Sequence, residues 1–216
     1  MQRRALAAYQ TVAAVGIGAW WIYWFASGSN THGTACALRY ENGFPVADLT
    51  LAGVLAGSAL DLARGRQRAW ILGPLAAGMA FSLATLDTSH NLVTGGFAHS
   101  ALRKVVFAAV NGSVGALTLV WLHRNGTSLG DRPSLPPWMG EPLARGTALF
   151  LPLAVLASIR GDGCGGALAV PMLTVGLLIV GLGRAVIAGR GPVWALVTAG
   201  AALHATLVAV LQIVLR

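Results

Sequence analysis

Between Arg68 and Asp87 the chain reads AWILGPLAAGMAFSLATL, eighteen residues without a charged side chain. As an α-helix at 1.5 Å per residue this run is about 27 Å long, close to the hydrocarbon thickness of a bilayer. Similar apolar stretches lie near 5–26, 46–63, 69–90, 102–122, 143–159, 166–188 and 192–215. Charged residues make up 10% of the 216-residue chain and apolar ones 56%, with a mean hydropathy of +0.68. A water-soluble domain carries about 25% charged residues. The predicted fold is therefore all-α, a polytopic membrane protein built as a seven-transmembrane-helix bundle. Six helices are the alternative, because the stretch at 143–159 is short and holds Pro152. The first stretch follows MQRR and is about 22 residues long, so it reads as a spanning helix rather than a cleaved leader.

The net charge of +8 comes from fourteen Arg and Lys104. These lie mainly between the apolar runs, where they orient helices, and form no basic stripe with interleaved aromatics, so no nucleic-acid partner is expected. With the N-terminus inside, ten basic residues share its side: Arg3, Arg4, Arg64, Arg66, Arg68, Arg124, Arg132, Arg145, Arg184 and Arg190. Five fall opposite: Arg39, Arg103, Lys104, Arg160 and Arg216. The asymmetry predicts a cytoplasmic N-terminus and an extracytoplasmic C-terminus. The Arg, Gly and Ala bias matches a GC-rich bacterial genome, which places the protein in a bacterial plasma membrane.

The chain reads as one integral membrane domain, 1–216. A four-helix part (1–122) joins a three-helix part (143–216) through a Pro- and Gly-rich cytoplasmic linker, HRNGTSLGDRPSLPPWMGEP (123–142). A short internal echo crosses that linker. RGRQRAWILGPLAAG (64–78) and AGRGPVWALVTAG (188–200) each run from an Arg/Gly turn through Trp70 or Trp194 to Ala-Gly.

The polar residues gather at the outer ends of the predicted helices. The first loop supplies His32, Cys36, Arg39 and Glu41, and the second span opens with Asp48. The third span ends with Asp87, His90 and Asn91, the next loop adds His99 and Arg103, and the loop before 166 adds Asp162 and Cys164. Asp87 and Asn91 share a helix face, with His90 beside them. One reading is an acid held by an amide or imidazole at the mouth of an apolar cavity, kept protonated by burial. The other is a helix cap in the headgroup region. Asp48, after Pro45, suits the first turn of a helix for dipole reasons, or forms an acid pair with Asp87 across adjacent helices. Asp61 reads as a local ion pair beside Arg64 and Arg66.

Asn111 and His204 sit mid-span, where polar groups face a partner or a cavity. They either bond between helices or line a substrate chamber. AWWIYWF (19–25) puts Trp20, Trp21, Tyr23, Trp24 and Phe25 at the outer end of the first span, as an interfacial belt or, for some, as inward faces that stabilise positive charge, Trp20, Tyr23 and Trp24 being the expected substrate contacts. Phe81 and Trp121 complete the expected substrate-binding set with Asn111 and His204. Cys36 and Cys164, the two cysteines, fall on the outer side and are expected to form a disulfide. His32, Cys36, His90, His99 and Asp87 lack metal-ligand spacing, so no metal or other cofactor is expected. Gly53 and Gly57 form a G-x-x-x-G expected to tighten packing within the bundle.

GFPVADLTLAGVL and LDTSHNLVTGGF look like stretches of small bacterial integral membrane proteins, a likeness that implies no activity. In size, helix number, membrane-edge acids and abundant aromatics the chain resembles the compact seven-helix terpene cyclases of bacterial indole-sesquiterpenoid and fungal meroterpenoid pathways. That resemblance implies a membrane-embedded cyclase or isomerase acting on a prenylated, lipid-like substrate. Asp87 or Asp48 would protonate an alkene or epoxide, with Asn91 or His90 orienting the acid and aromatics stabilising the carbocation. No D-D-x-x-D occurs, which disfavours diphosphate ionisation, and no lysine in the last spans could form a retinal Schiff base. The alternatives are a transporter or lipid-binding module, in which Asp87, Asn111 and His204 line a path, and an accessory subunit that docks through Gly-rich faces.

Overall fold

The computed structural model describes residues 2–29, 35–130, 134, 166–187 and 191–214. They form seven helices: α1 (Arg3–Ala26), α2 (Ala35–Asn42), α3 (Pro45–Arg64), α4 (Ala69–Val93), α5 (Gly96–Asn125), α6 (Gly166–Ile187) and α7 (Pro192–Val214), with a 3-10 turn at Gly126–Leu129. No strand occurs among the described residues. Five helices, α1, α3, α4, α5 and α7, are long and apolar enough to cross a membrane, while the apolar part of α6 is shorter, Ala169–Arg184. Seven helices therefore match the predicted number only by coincidence. One of them, α2, is a short segment inside the predicted first loop, and the predicted span at 143–159 lies outside the described residues.

Local chemistry sets the helix ends. Pro45 occupies the first turn of α3, where its missing N–H leaves no bond unmade. At the other end Gly65 takes φ 65°, and the amides of Gly65 and Arg66 donate to Leu62 and Asp61 at 3.0 and 2.8 Å. Asp61 then reaches Arg66, as the sequence led us to expect, and Arg68 in place of the expected Arg64, each at 3.8 Å. Gly95, at φ 67°, turns α4 straight into α5. His99, Arg103 and Lys104 therefore lie on the first turns of a helix, not in a loop. The predicted linker likewise starts later, because residues 123–129 continue α5 and its 3-10 turn.

α4 is the central post and packs against α3, α5, α6 and α7. Its tightest contact is with α7. A Cβ on Gly78 would collide with the carbonyl oxygen of Val197, and one on Gly200 with that of Leu75. One turn further along both helices, Ser82 meets His204. Leu75 with Gly200, Gly78 with Ala201 and Ser82 with His204 ascend together, so α4 and α7 run parallel. The two echoing stretches thus become the first halves of two neighbouring helices. By contrast, the G-x-x-x-G of α3 makes no packed seam: Gly57 faces a Leu72 methyl, and Gly53 is exposed with nothing within 4 Å.

Candidate functional site

Asp48, one turn into α3, is 3% exposed. Trp21 of α1 donates its indole N–H to Oδ2 at 3.1 Å, and Nε2 of His204 lies 3.1 Å from Oδ1. Nδ1 of His204 lies 3.2 Å from the Ser82 hydroxyl of α4. His204 and Ser82 are fully buried. Four helices thus contribute one side chain each to a chain of indole, carboxyl, imidazole and hydroxyl. As a carboxylate, Asp48 accepts from both neighbours. His204 then carries its proton on Nε2, and its bare Nδ1 accepts from Ser82. A second proton on the imidazole makes the same contact a buried ion pair, so one proton can be shared along the chain.

A serine, histidine and aspartate in series raise the question of nucleophilic acyl transfer. The backbone argues against it. Ser82 sits mid-helix in α4, where each amide N–H is engaged by the carbonyl four residues back, leaving no free pair to hold an oxyanion. Proton handling is the chemistry this arrangement fits.

At the end of the bundle that holds Asp48, α2 packs against α7. The Tyr40 ring stacks on His90 at 3.5 Å between centroids, and Phe44 packs beside Tyr40 at 4.8 Å and His204 at 6.4 Å. The Tyr40 hydroxyl is buried with no partner among the described residues. Burial first, then the carboxylates of Asp87, Glu41 and Asp48, pushes it well above the ordinary tyrosine value, so it stays a neutral donor. Asp87 is partly buried and lies within electrostatic reach of Glu41, Asp48 and Lys104. Glu41 is half-buried, and burial chiefly, with Asp48 adding, pushes its carboxyl up to about 7 against the opposing pull of Lys104 and Arg103.

The Glu41 shift fixes the sign of a pH effect. The folded protein holds this proton more tightly than the unfolded chain, so Glu41 lowers stability as pH rises from about 4.5 to about 7. Below that window the effect is absent, and above it the loss is complete. Thermal melts of wild type should fall across the window, and Glu41→Gln should flatten the fall. Parallel wild-type and mutant profiles would refute the assignment.

The remaining predicted site residues scatter. Asn91 shares the Asp87 face, but its amide donates at 2.8 Å to the Asp87 backbone carbonyl, so it does not orient the carboxyl. His90 is engaged by Tyr40. Asn111 is buried, yet its amide donates to the Phe107 carbonyl of its own helix at 3.0 Å. Phe81 faces α5 at Gly115, away from the Ser82 contact. Trp121 belongs to the core at the opposite end of the bundle, with Leu6 and Trp70. Tyr23 is 59% exposed, and Trp20 lies under the Arg103 guanidinium at 5.5 Å. Trp24 is partly buried against the outer core. Cys36 is disulfide-bonded, and Cys164, its expected partner, lies outside the described residues, as do His32 and Asp162.

The residues not singled out in advance are Tyr40 and Ser82, and Trp21 stood out only as one of five clustered aromatics, not as a partner of Asp48. A signal for Ser82 was present: Ser82 and His204 each stand four residues after the glycine that ends an echoing stretch. No family model, curated protein or solved structure matches the chain.

Proposed function

We propose that this protein is a bacterial plasma-membrane enzyme that starts its reaction by transferring a proton to an apolar, prenylated substrate. Asp48 is the acid, in preference to Asp87. The observation that carries the reading is the Asp48–His204–Ser82 chain, a carboxyl within hydrogen-bonding distance of a buried imidazole in an apolar bundle. Protonation of an alkene by Asp48 leaves a carbocation on the substrate and a carboxylate on the enzyme. A second alkene closes the ring, and loss of a proton to the carboxylate or to water gives a product isomeric with the substrate. Trp21, Phe44 and Trp24 surround the acid with aromatic surface that favours positive charge over trapping. His204 and Ser82 position and reload the acid.

Purified protein in lipid should convert a farnesylated substrate to a cyclised product of identical mass, and Asp48→Asn should lower turnover by about 10²–10⁴-fold, the usual worth of a general acid. Full activity in Asp48→Asn would eliminate the acid. Wild-type inactivity across prenylated substrates would favour a second reading, a proton-coupled carrier. That reading draws on Glu41, Asp87, Asp48 and His204, titratable groups leading from the outer edge to the core.

Seven crossings and an outside C-terminus belong to the same proposal. Four residues separate Ile187 from Pro192, enough for at most about 14 Å of chain, so α6 runs antiparallel to α7. It then starts at the end of the bundle opposite to Asn125, where α5 finishes. The expected span at 143–159, which lies outside the described residues, would supply a crossing between them and make the total odd. A reporter fused after Arg216 should read out as extracytoplasmic; cytoplasmic activity would remove a crossing.

A further inference from the structure

At the end of the bundle away from Asp48, where α1 begins and α5 finishes, lies an open cleft of about 670 Å³. Its walls include Arg3, Arg124, Thr127 and Ser128, and the buried Trp121 indole contributes an apolar side. Among the described residues no acidic side chain lines it, and neither Arg3 nor Arg124 has a carboxylate partner. The contrast with the neighbouring turn is sharp, because there Asp61 neutralises Arg66 and Arg68. Two like charges lining one cleft repel each other until an anion lies between them.

The cleft is held in shape by its own backbone. Ser128 donates to the Asn125 carbonyl at 2.7 Å, and the Asn125 amide donates to the Trp121 carbonyl at 3.3 Å. These bonds fix the 3-10 turn and leave the exposed Thr127 hydroxyl without a partner among the described residues. The Arg3 guanidinium lies over Gly65, where a Cβ would come within 2.6 Å of Nη1. Only glycine lets the arginine sit there, and it also supplies the positive φ that ends α3.

We propose that this cleft binds a phosphate group, with Arg3 and Arg124 as the charged clamp and Thr127 as a further donor. Guanidinium groups pair with phosphate oxygens through parallel charge-assisted hydrogen bonds. A cleft at the end of membrane-length helices, with arginines at its rim and an indole at its wall, suits a phosphate carried by a lipid headgroup or by a soluble ester. This site is independent of the proton chemistry at the other end.

The test uses the full chain, purified in a zwitterionic detergent, with dihexanoyl phosphatidic acid and inorganic phosphate as separate probes in calorimetric titrations. Binding of phosphatidic acid alone assigns the site to a lipid headgroup, and binding of both assigns it to phosphate itself. In either case Arg3→Gln and Arg124→Gln should each weaken binding at least about tenfold, Thr127→Val should weaken it less, and Arg184→Gln, at an exposed arginine of α6, should change nothing. Thermal melts matching wild type establish that the variants are folded; Arg3→Lys and Arg124→Lys replace any that is not. Failure of both probes to bind, or binding that ignores Arg3 and Arg124, overturns the proposal.

Discussion

Gly78→Val is expected to disrupt the bundle outright. The position faces the Val197 carbonyl across the α4–α7 contact, and a backbone atom cannot rotate away as a side-chain end can. Even a Cβ forces the two helices apart, and valine adds two methyl groups. The separation propagates one turn up, to Ser82 and His204, whose bond joins these same helices. Loss of packing and of a buried polar contact together puts the expected effect in the exceptional range, above about 4 kcal/mol. Gly200→Val should do the same, since it faces the Leu75 carbonyl. Gly53→Val is the control, because nothing lies within 4 Å of that position. Size-exclusion profiles and thermal melts in detergent read the difference. A well-folded Gly78→Val protein would mean that α4 and α7 do not meet as described.

The second large effect comes from Asp48, and its two substitutions should differ. Asp48→Ala strands the Trp21 N–H and the His204 Nε2 in an apolar core, and each buried polar group left without its partner costs about 1–3 kcal/mol. Asp48→Asn can stay satisfied. Trp21 only donates, so the asparagine carbonyl must face it and the amide must face His204. The imidazole then accepts at Nε2 and donates from Nδ1 to Ser82. Asparagine therefore preserves the fold while abolishing the acid. His204→Phe should resemble Asp48→Ala, and the double change Asp48→Leu with His204→Phe should be less damaging than the sum of its parts. Equal stability of the alanine and asparagine variants would show that Asp48 is hydrated rather than held by its neighbours.

Depth along a helix was legible in the sequence, and rotation about it was not. The apolar runs located α1, α3, α4, α6 and α7 to within three residues at each end, because an uncharged stretch bounded by arginines has few ways to sit. Polarity likewise marked Asp48 and His204 as unusual. Which aromatic of AWWIYWF turns inward depends on the orientation of a helix that is apolar on all sides, so its hydrophobic pattern carries no phase. Trp21, at 3% exposure, turns inward and bonds to Asp48, while Trp20 and Trp24, the two expected to face a substrate cation, are only partly buried. Ser82 escaped notice because serine is common in packed helices and its importance lies in His204, 122 positions away. α2 was invisible because its residues are mixed in polarity and too few to show a period.

The links among Trp21, Asp48, Ser82 and His204 also set an order of events during synthesis. Trp21 precedes Asp48 by 27 positions, whereas His204 follows it by 156. At about 5–20 residues per second the ribosome needs roughly 8–30 seconds to cover that interval. Throughout it, α3 carries a carboxyl with only one of its final partners made. The half-built protein is therefore marked by an exposed polar defect that the last helix erases. A chain truncated before α7 retains the defect and presents membrane proteases with a feature that the finished molecule lacks.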